Sequence, residues 1–250
     1  MASFDISSLF TNIPVDDTIE IITNRLFAHH NPFQSLSRPN FTSLLNRTVK
    51  NCHFLFDGHL YHQVDSVAMG SPLGPFFANI FLSFHEETLL KNCPSRFRHL
   101  LYRRYVKDCF LLFRTSDHVQ PFLTYLNHKH PNIKFTSEIE HNGKLLFLDI
   151  TIHRSNGKFF TSIYRKPTFT GLFTNFHSFI PLTYKRSLIL CLVHRFFNIC
   201  STYENFHTEI EKSRRLFISN LFPCHIFDHG VKMFLDKVFQ IGRASCRERV

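Results

Sequence analysis

A charged break between two runs of strand-forming residues is the stretch whose residue types could do chemistry. Residues 101–113 have the sequence LYRRYVKDCFLLF, with the break at Val106–Asp108. The pattern predicts a β-hairpin with charge at its tip. Mg²⁺ takes oxygen ligands and usually one or two carboxylates, so Asp108 on a rigid hairpin suits a metal site. On this stretch alone, a turn with solvated charges is the alternative.

Two earlier segments bear on the same chemistry. Asp5 ends a short strand-forming run, Ser3–Ile6, and is followed by a turn and by a helix that begins near Pro14. Further along, Gly70–Pro75 is a tight loop of small residues, GSPLGP, which leads into an apolar helix reaching about Lys91. Small residues let a flat ligand approach the backbone closely, although the same composition fits an ordinary loop-to-helix turn.

The rest of the chain supplies the elements that must position these residues. Apolar spacing predicts helices at 41–52 and 119–130, with a hairpin at 54–63 between them. Three strand-like runs separated by Asn-Gly turns follow, namely Ile133–Glu140, Leu145–His153 and Phe159–Lys166. Helices are then predicted at 184–199, 203–221 and 231–239. Because the chain changes character after the strands, we expect a domain boundary near Pro167.

Composition narrows the classes of partner and compartment. The 250 residues are 44% hydrophobic, enough for one large core or two unequal domains. A formal net charge of +10 favours a nucleic-acid partner over a membrane, with a merely soluble basic protein as the alternative. Seven scattered cysteines favour a reducing compartment. Without a signal peptide or an apolar run long enough to span a bilayer, we expect an intracellular protein that is not secreted.

The last ten residues need separate treatment. Residues 241–250, IGRASCRERV, match the translation of a common sequencing adapter, so we expect them not to be native. Removing their three Arg and one Glu leaves the rest of the chain at +8, which is still basic.

The motifs, in their order along the chain, resemble those of a known family. SFDISSLFTNIPV, AMGSPLGP and YRRYVKDCFLLF are similar to motifs A, B and C of reverse transcriptases. Together with NIKFTSEIEHNGKLLFLDI and YRKPTFTGLFTNF, they resemble the Penelope-like retroelements over nearly all of Ser3–Pro223. The resemblance implies an α+β right-hand polymerase fold. Its palm, an antiparallel sheet backed by helices, would span 1–166, and a helical thumb would span 167–240. The fingers and the endonuclease of the family are expected to lie outside this chain.

The resemblance also implies a function and its participants. It implies RNA-directed DNA polymerisation in the nucleus, with an RNA template, a DNA primer and deoxynucleoside triphosphates, and leaves the oligomeric state open. Two Mg²⁺ ions would activate the primer hydroxyl and stabilise the leaving pyrophosphate. The metal ligands would be the side chains of Asp5 and Asp108 and the carbonyl of Ile6.

Further roles follow from the same resemblance. Phe10 matches the aromatic gate against a ribose 2′-hydroxyl, with a plain core Phe as the alternative. The loop under the incoming nucleotide would contain Met69, Gly70 and Ser71. Lys134 or Lys144 would be the general acid for pyrophosphate, although both sit by polar turns and fit solvated surface equally well. The residues expected to contact nucleic-acid phosphates are Arg165, Lys166 and Lys185.

One departure from the family bears directly on activity. The family motif YVDD is YVKD here, so Lys107 replaces the first Asp, the chief metal ligand of this motif. A charged Lys has no acceptor lone pair. We predict that Asp5 and Asp108 lie on neighbouring strands with Lys107 within reach of Asp5. Two hypotheses remain: an active polymerase domain, or a retroelement relic that at most binds nucleic acid without sequence preference. We favour the second for this copy.

Overall fold

The computed structural model describes residues 1–28, 33, 35–68, 70–97 and 99–239. The predicted nucleotide contact Met69 and the predicted adapter segment 241–250 lie outside the described residues. The chain divides into two compact units, Met1–Glu140 and His141–Val250. Each unit has its own hydrophobic core.

An antiparallel four-stranded sheet organises the first unit. In spatial order its strands are β4 (Leu101–Tyr105), β5 (Asp108–Leu112), β1 (Ala2–Ile6) and β6 (Phe135–Ile139). Burial alternates along β1, because successive side chains of a strand point to opposite faces. Phe4 is buried on one face of the sheet, and Asp5 is half-buried on the other. The predicted strand at the start of the chain and the predicted hairpin are therefore confirmed.

Helices and a second hairpin complete the first unit. They are α1 (Leu9–Asn12), α2 (Val15–Leu26), α3 (Arg38–Lys50), β2 (His53–Phe56), β3 (His59–His62), α4 (Gly74–Lys91) and α5 (Val119–Asn127). Asp16 and Asp17 lie in the first turn of α2, where the helix dipole favours negative charge. The side chain of Ser37 accepts a hydrogen bond from the backbone N–H of Asn40 and so caps α3.

The inner face of this sheet packs on aromatic side chains from the helices. Phe4 on β1 packs against Phe122 of α5, with ring centroids 5.9 Å apart and the rings tilted by 46°. Phe81 of α4 is fully buried in the same cluster. The other face of the sheet keeps partly exposed residues, including Asp5 and Asp108.

The sheet of the second unit differs from the prediction at one point. Its strands, in order, are β7 (Lys144–Phe147), β8 (Ile150–Ser155) and β9 (Lys158–Ile163). The prediction of a single strand over Leu145–His153 is wrong, because the chain turns at Leu148 and Asp149 and Phe147 pairs with Ile150. Leu148 has φ 55, a conformation that a β-turn needs but that Leu rarely adopts. No Gly or Asn marks this turn, so the apolar run concealed it.

Three helices follow: α6 (Leu182–Ile199), α7 (Tyr203–Ser219) and α8 (Cys224–Phe239). Their core contains Phe196, Phe217 and Phe227. Among the described residues, no helix is both long and apolar enough to cross a membrane.

The units separate after Glu140, and not near Pro167 as expected. The physical reason is that β9 is attached to the helices that follow it. Ile163 packs against the helical core, and the N–H of Thr161 donates to Ser201 Oγ at 2.7 Å. The three-stranded sheet therefore belongs to the same compact unit as the helices. The assignment of palm and thumb functions to particular residues stays a prediction.

Candidate functional site

The two predicted metal-binding carboxylates meet across a strand pair. Asp5 on β1 lies directly opposite Asp108 on β5 in the antiparallel register. Directly opposed residues of such a pair share one face, with Cβ atoms roughly 4.5–5.5 Å apart. Both aspartates are half-buried on the face that does not carry the core. The prediction that they lie on neighbouring strands is confirmed, while their catalytic role stays a prediction.

The hairpin tip brings Lys107 to the same place. The turn between β4 and β5 contains only Val106 and Lys107. The backbone N–H of Ile6 donates to the Lys107 carbonyl at 3.1 Å, which ties the tip to the end of β1. Nζ of Lys107 lies 3.2 Å from Oδ1 of Asp5 and donates to its Oδ2 at 3.4 Å. The predicted contact between Lys107 and Asp5 is present.

The ion pair between Lys107 and Asp5 contributes little to the stability of the fold, but it neutralises the charge of Asp5. The side chains of Lys107 and Asp5 are 47% and 43% exposed, so the pair is worth at most about 1 kcal/mol. Oδ1 of Asp5 is nevertheless shielded from water, and it has no hydrogen-bond partner in the described part of the chain. The charged group that faces this oxygen is the ammonium of Lys107, at 3.2 Å.

These residues do not fit a pair of divalent metal ions. Two ions need oxygen ligands that converge from neighbouring strands, and Lys107 presents a cation where the YVDD motif that this hairpin resembles has a carboxylate. Within the described ranges, no group of three or more His, Cys, Asp or Glu could hold a metal ion. The Lys107 ammonium therefore lies beside the Asp5 carboxylate, where a metal ion bound by that carboxylate would have to lie.

The two candidate general acids lie in different units. Lys134 is exposed just before β6, and its carbonyl accepts a hydrogen bond from the N–H of Ser7 at 2.8 Å. Its Nζ donates to the Asn127 carbonyl at 3.1 Å. Lys134 thus lies in the unit of the aspartates, next to the end of β1. Lys144 begins β7 in the second unit.

Phe10 and the small-residue loop are neighbours, as a shared nucleotide pocket requires. The N–H of Val67 donates to the Phe10 carbonyl at 3.3 Å. A Cβ added at Gly74 would lie 3.9 Å from Cδ1 of Phe10. Gly70 has φ 91, which suits glycine, and the N–H of Ser71 donates to the Ala68 carbonyl. Phe10 also packs against the core, so the alternative of a core role is not removed.

The three predicted phosphate contacts have different surroundings. Lys166 is exposed, as such a role requires. Arg165 is paired with buried Glu209 and lies 5.8 Å from the ring centre of Phe169. Lys185 is 6% exposed, and its Nζ donates to the carbonyls of Phe176 and Ser178. The prediction for Lys185 is therefore wrong, because its ammonium is buried and bound to carbonyl groups of the loop before α6.

The sequence did not indicate a buried polar cluster behind the hairpin. Arg104 Nε donates to Glu86 Oε1 at 2.6 Å, and the hydroxyl of Tyr102 donates to the same oxygen at 2.5 Å. Burial raises the pKa of Tyr102 well above its usual range and raises that of the Cys109 thiol to about 12. The only available signal was period-two alternation, which places Tyr102 and Arg104 on the core face of β4.

Comparisons with known proteins show the fold. A family model described as the animal helix-turn-helix domain matches residues 172–230, which include α6 and α7. No curated protein matches the chain. The telomerase from Candida albicans, solved in complex with a TWJ fragment of telomeric RNA, superposes with a TM-score of 0.60 and 14% identity. That match covers 97% of this chain and 46% of the telomerase.

A second solved structure supports the same conclusion. The Sicinivirus 3Dpol RNA-dependent RNA polymerase has a TM-score of 0.53 and 14% identity, over 95% of this chain and 51% of the viral protein. The chain thus spans about half the length of these solved structures. Its fold is α+β and polymerase-like, with a palm-type antiparallel sheet backed by helices and a helical thumb-like region.

Proposed function

We propose that this chain is the palm and thumb part of a reverse transcriptase from a Penelope-like retroelement, whose nucleotidyl-transfer site is disabled by Lys107. The observation that carries the proposal is the pairing of Lys107 with Asp5, at 3.2 Å, directly beside Asp108. The polymerase-like fold supports it, because the site lies on the open face of the palm-type sheet.

The ammonium disables the site for two separate reasons. It removes a ligand, because a charged Lys offers no lone pair to a metal ion. It also changes the local charge by two units relative to Asp, and so repels a cation where the family attracts one. Bound Mg²⁺ would supply charge stabilisation for phosphoryl transfer. In this chain the residues left to Mg²⁺ are Asp5 and Asp108, and one of them is already neutralised.

Nucleic-acid binding is the function that we expect to remain. Residues 141–239 contain 13 Lys and Arg against 6 Asp and Glu, and Lys166 is among those exposed. Phosphate contacts of this kind hold a template or primer strand without reading its sequence. We propose an RNA template and a DNA primer as the strands, deoxynucleoside triphosphates as the family substrate, and the nucleus as the site of action. Lys134 is our choice for the general acid of an active relative.

The experiment titrates Mn²⁺ into the purified chain and follows the free ion by electron paramagnetic resonance. The unaltered chain should bind Mn²⁺ only weakly. Lys107→Asp should bind at least about tenfold more tightly, a gain of about 1.4 kcal/mol, because it restores an oxygen ligand and removes the repulsion. Lys107→Ala removes only the repulsion and should recover little. Asp5→Asn in the Lys107→Asp background should abolish the gain.

Primer extension separates the two hypotheses about activity. In a chimera completed with the fingers of a related element, the Lys107 form should extend an RNA-templated primer no better than its Asp5→Ala variant does, with Mg²⁺ or Mn²⁺ present, whereas Lys107→Asp in the same chimera should recover extension. Extension above that control would show that this copy is an active polymerase. Equal Mn²⁺ affinity in the unaltered chain and in Lys107→Asp would overturn the proposed reason for inactivity.

A further inference from the structure

The hairpin tip that presents Lys107 and Asp108 adopts a conformation that needs support. Val106 has φ 54, which is unfavourable for a β-branched residue. Such strained residues persist only where the surroundings hold them in place. On the open face, the backbone bond from Ile6 to the Lys107 carbonyl is one such support. The other support comes from the core face.

Arg104 spans the distance from the tip to helix α4. Its Nη1 donates to the Val106 carbonyl at 3.0 Å, while its Nε donates to Glu86 Oε1 at 2.6 Å. Nη2 donates to Asn79 Oδ1 at 3.1 Å and to Ser83 Oγ at 3.2 Å. The three helix residues are spaced i, i+4 and i+7, so they share one face of α4. One planar guanidinium thus joins the strained turn to a single helix face.

Glu86 fixes the orientation of this guanidinium. It also accepts the hydroxyl hydrogen of Tyr102, which contacts the sulfur of Cys109 at 3.4 Å. The side chains of Arg104 and Glu86 are 8% and 17% exposed, so water competes little for their hydrogen bonds. Burial opposes the charge of Arg104, yet the hydrogen bond and charge of Glu86 leave its pKa raised. The guanidinium therefore stays charged.

We propose that Arg104, oriented by Glu86, is a positioning residue that holds the Val106–Asp108 tip against the end of β1. We call the hydrogen bonds from Arg104 to Glu86 and to the Val106 carbonyl the clasp. The clasp fixes the positions of residues 107 and 108 relative to Asp5. Because α4 follows directly after the Gly70–Ser71 loop, the clasp also ties the tip to the helix that carries the predicted nucleotide loop. The clasp rests on the proposed function only for what the tip does, and not for its geometry.

Hydrogen–deuterium exchange resolved by residue tests the geometry without any metal. Arg104→Gln should accelerate exchange of the Ile6 amide by about tenfold or more, because the tip that accepts its hydrogen bond is no longer held. Amides of β1 farther from the tip and those of α5 should keep their protection. Arg103→Gln is the matched control, since Arg103 is the exposed neighbour on the same strand and loses the same charge. Uniform acceleration of all these amides would show a merely structural role and overturn the proposal.

A second matched pair keeps the test decisive if Arg104→Gln folds poorly. Glu86→Gln retains size but weakens the hold on Arg104, and should accelerate Ile6 exchange. Glu87→Gln, which alters a 62% exposed side chain on the next position, should not. Equal behaviour of the two glutamate variants would overturn the proposal.

The Mn²⁺ assay then separates this inference from the proposed function. In the Lys107→Asp background, Arg104→Gln should weaken Mn²⁺ binding severalfold and Arg103→Gln should not. If Lys107→Asp binds no Mn²⁺ while Ile6 exchange still responds to Arg104→Gln, the clasp stands and the proposed metal-site function fails. If Mn²⁺ binding returns but Arg104→Gln changes neither readout, the clasp fails alone.

Discussion

The two units of the molecule differ in net charge and in the placement of their acidic residues. Residues 1–140 carry 13 Lys and Arg against 12 Asp and Glu, whereas residues 141–239 carry 13 against 6. In the first unit two of the acids, Asp5 and Asp108, lie directly opposite each other on neighbouring strands. In the second unit much of the acid is used internally, as with Glu209, which is buried between Arg165 and Lys212.

This difference shows that the net charge of a unit does not indicate where its opposed carboxylates lie. The unit with the large positive charge is not the unit that contains Asp5 and Asp108. The unit whose total charge is nearly balanced contains the opposed carboxylates Asp5 and Asp108, so its total charge does not reveal this local concentration of acid. An overall basic unit suits phosphate contacts that need no defined geometry. Under the proposed function, Lys107 in the first unit disables the site while the basic surface of the second unit stays intact.

The strongest way to break this comparison is to unfold one unit. Phe217 is fully buried, with the rings of Phe173, Phe222 and Phe227 centred 5.2, 4.9 and 5.2 Å away. Phe217→Ala should lower the free energy of unfolding of the second unit by about 3–5 kcal/mol. Residue-resolved hydrogen exchange in denaturant should show protection lost in α6–α8 and retained in β1 and β5.

The control for that variant is Phe159→Ala, which truncates a 53% exposed ring in the same unit. It should change the unfolding free energy by only about 0.5 kcal/mol. If Phe217→Ala removes protection from both units equally, the separation of their cores is contradicted.

A milder test concerns nucleic-acid affinity. Binding of a labelled primer–template should weaken by roughly tenfold between 50 and 200 mM salt, because phosphate contacts release counterions. Lys166→Gln and Arg215→Gln, both exposed in the second unit, should each reduce the log–log salt slope by about one. Lys50→Gln in the first unit, where Lys50 is paired with Asp16, should leave the slope unchanged. Affinity that ignores salt, or no binding at low salt, would count against the assignment.

The smallest expected effect is on stability against pH. His85 and His130 have ring centroids 5.0 Å apart, with Phe81 against both. Burial lowers the pKa of each below 6.5, and the charge of His130 lowers that of His85 further, while Asp17 opposes both shifts. Lys134 also lowers the pKa of His130.

The sign follows from which state takes up protons. Well above pH 6.5 both histidines are neutral in the folded and the unfolded chain, so they contribute no pH dependence to stability there. As the pH falls below 6.5, the unfolded chain binds protons first, and the first unit should lose stability, by less than about 1 kcal/mol because both rings are partly exposed. The free energy of unfolding, measured by denaturant titration at pH 7 and at pH 5, should be lower at pH 5. His85→Gln should reduce this difference and His128→Gln, an exposed control, should not. Equal pH dependence in both variants would contradict the assignment.

Local sequence determined the elements that position the site. The strand-forming run Ser3–Ile6 predicted the strand that carries Asp5, and two runs of strand-forming residues around Val106–Asp108 predicted the hairpin. Asn142 and Gly143, with φ 51 and 70, form the turn that their types demand. The sequence also showed that YVKD differs from the YVDD motif that it resembles by Lys at position 107, because that comparison needs only residue types.

Other features depended on contacts that no local pattern records. The turn at Leu148 arises where strand pairing in the folded sheet outweighs the conformational cost of a left-handed Leu. The burial of Lys185 depends on two carbonyls of a loop that only the packed α6 brings near. The boundary after Glu140 follows from the packing of Ile163 on helices far along the chain.

The same division holds within the site. The sequence by itself determined which charges the site contains, since residue type sets charge and period-two alternation sets the face. The resemblance predicted that Asp5 and Asp108 lie on neighbouring strands with Lys107 within reach of Asp5. Only the tertiary structure decided that Asp5 and Asp108 are opposed in register and that Arg104 joins the hairpin to α4. Asp5 and Asp108 are 103 positions apart, and the register that pairs them rests on packing free energy summed over the whole core, which no single segment contains.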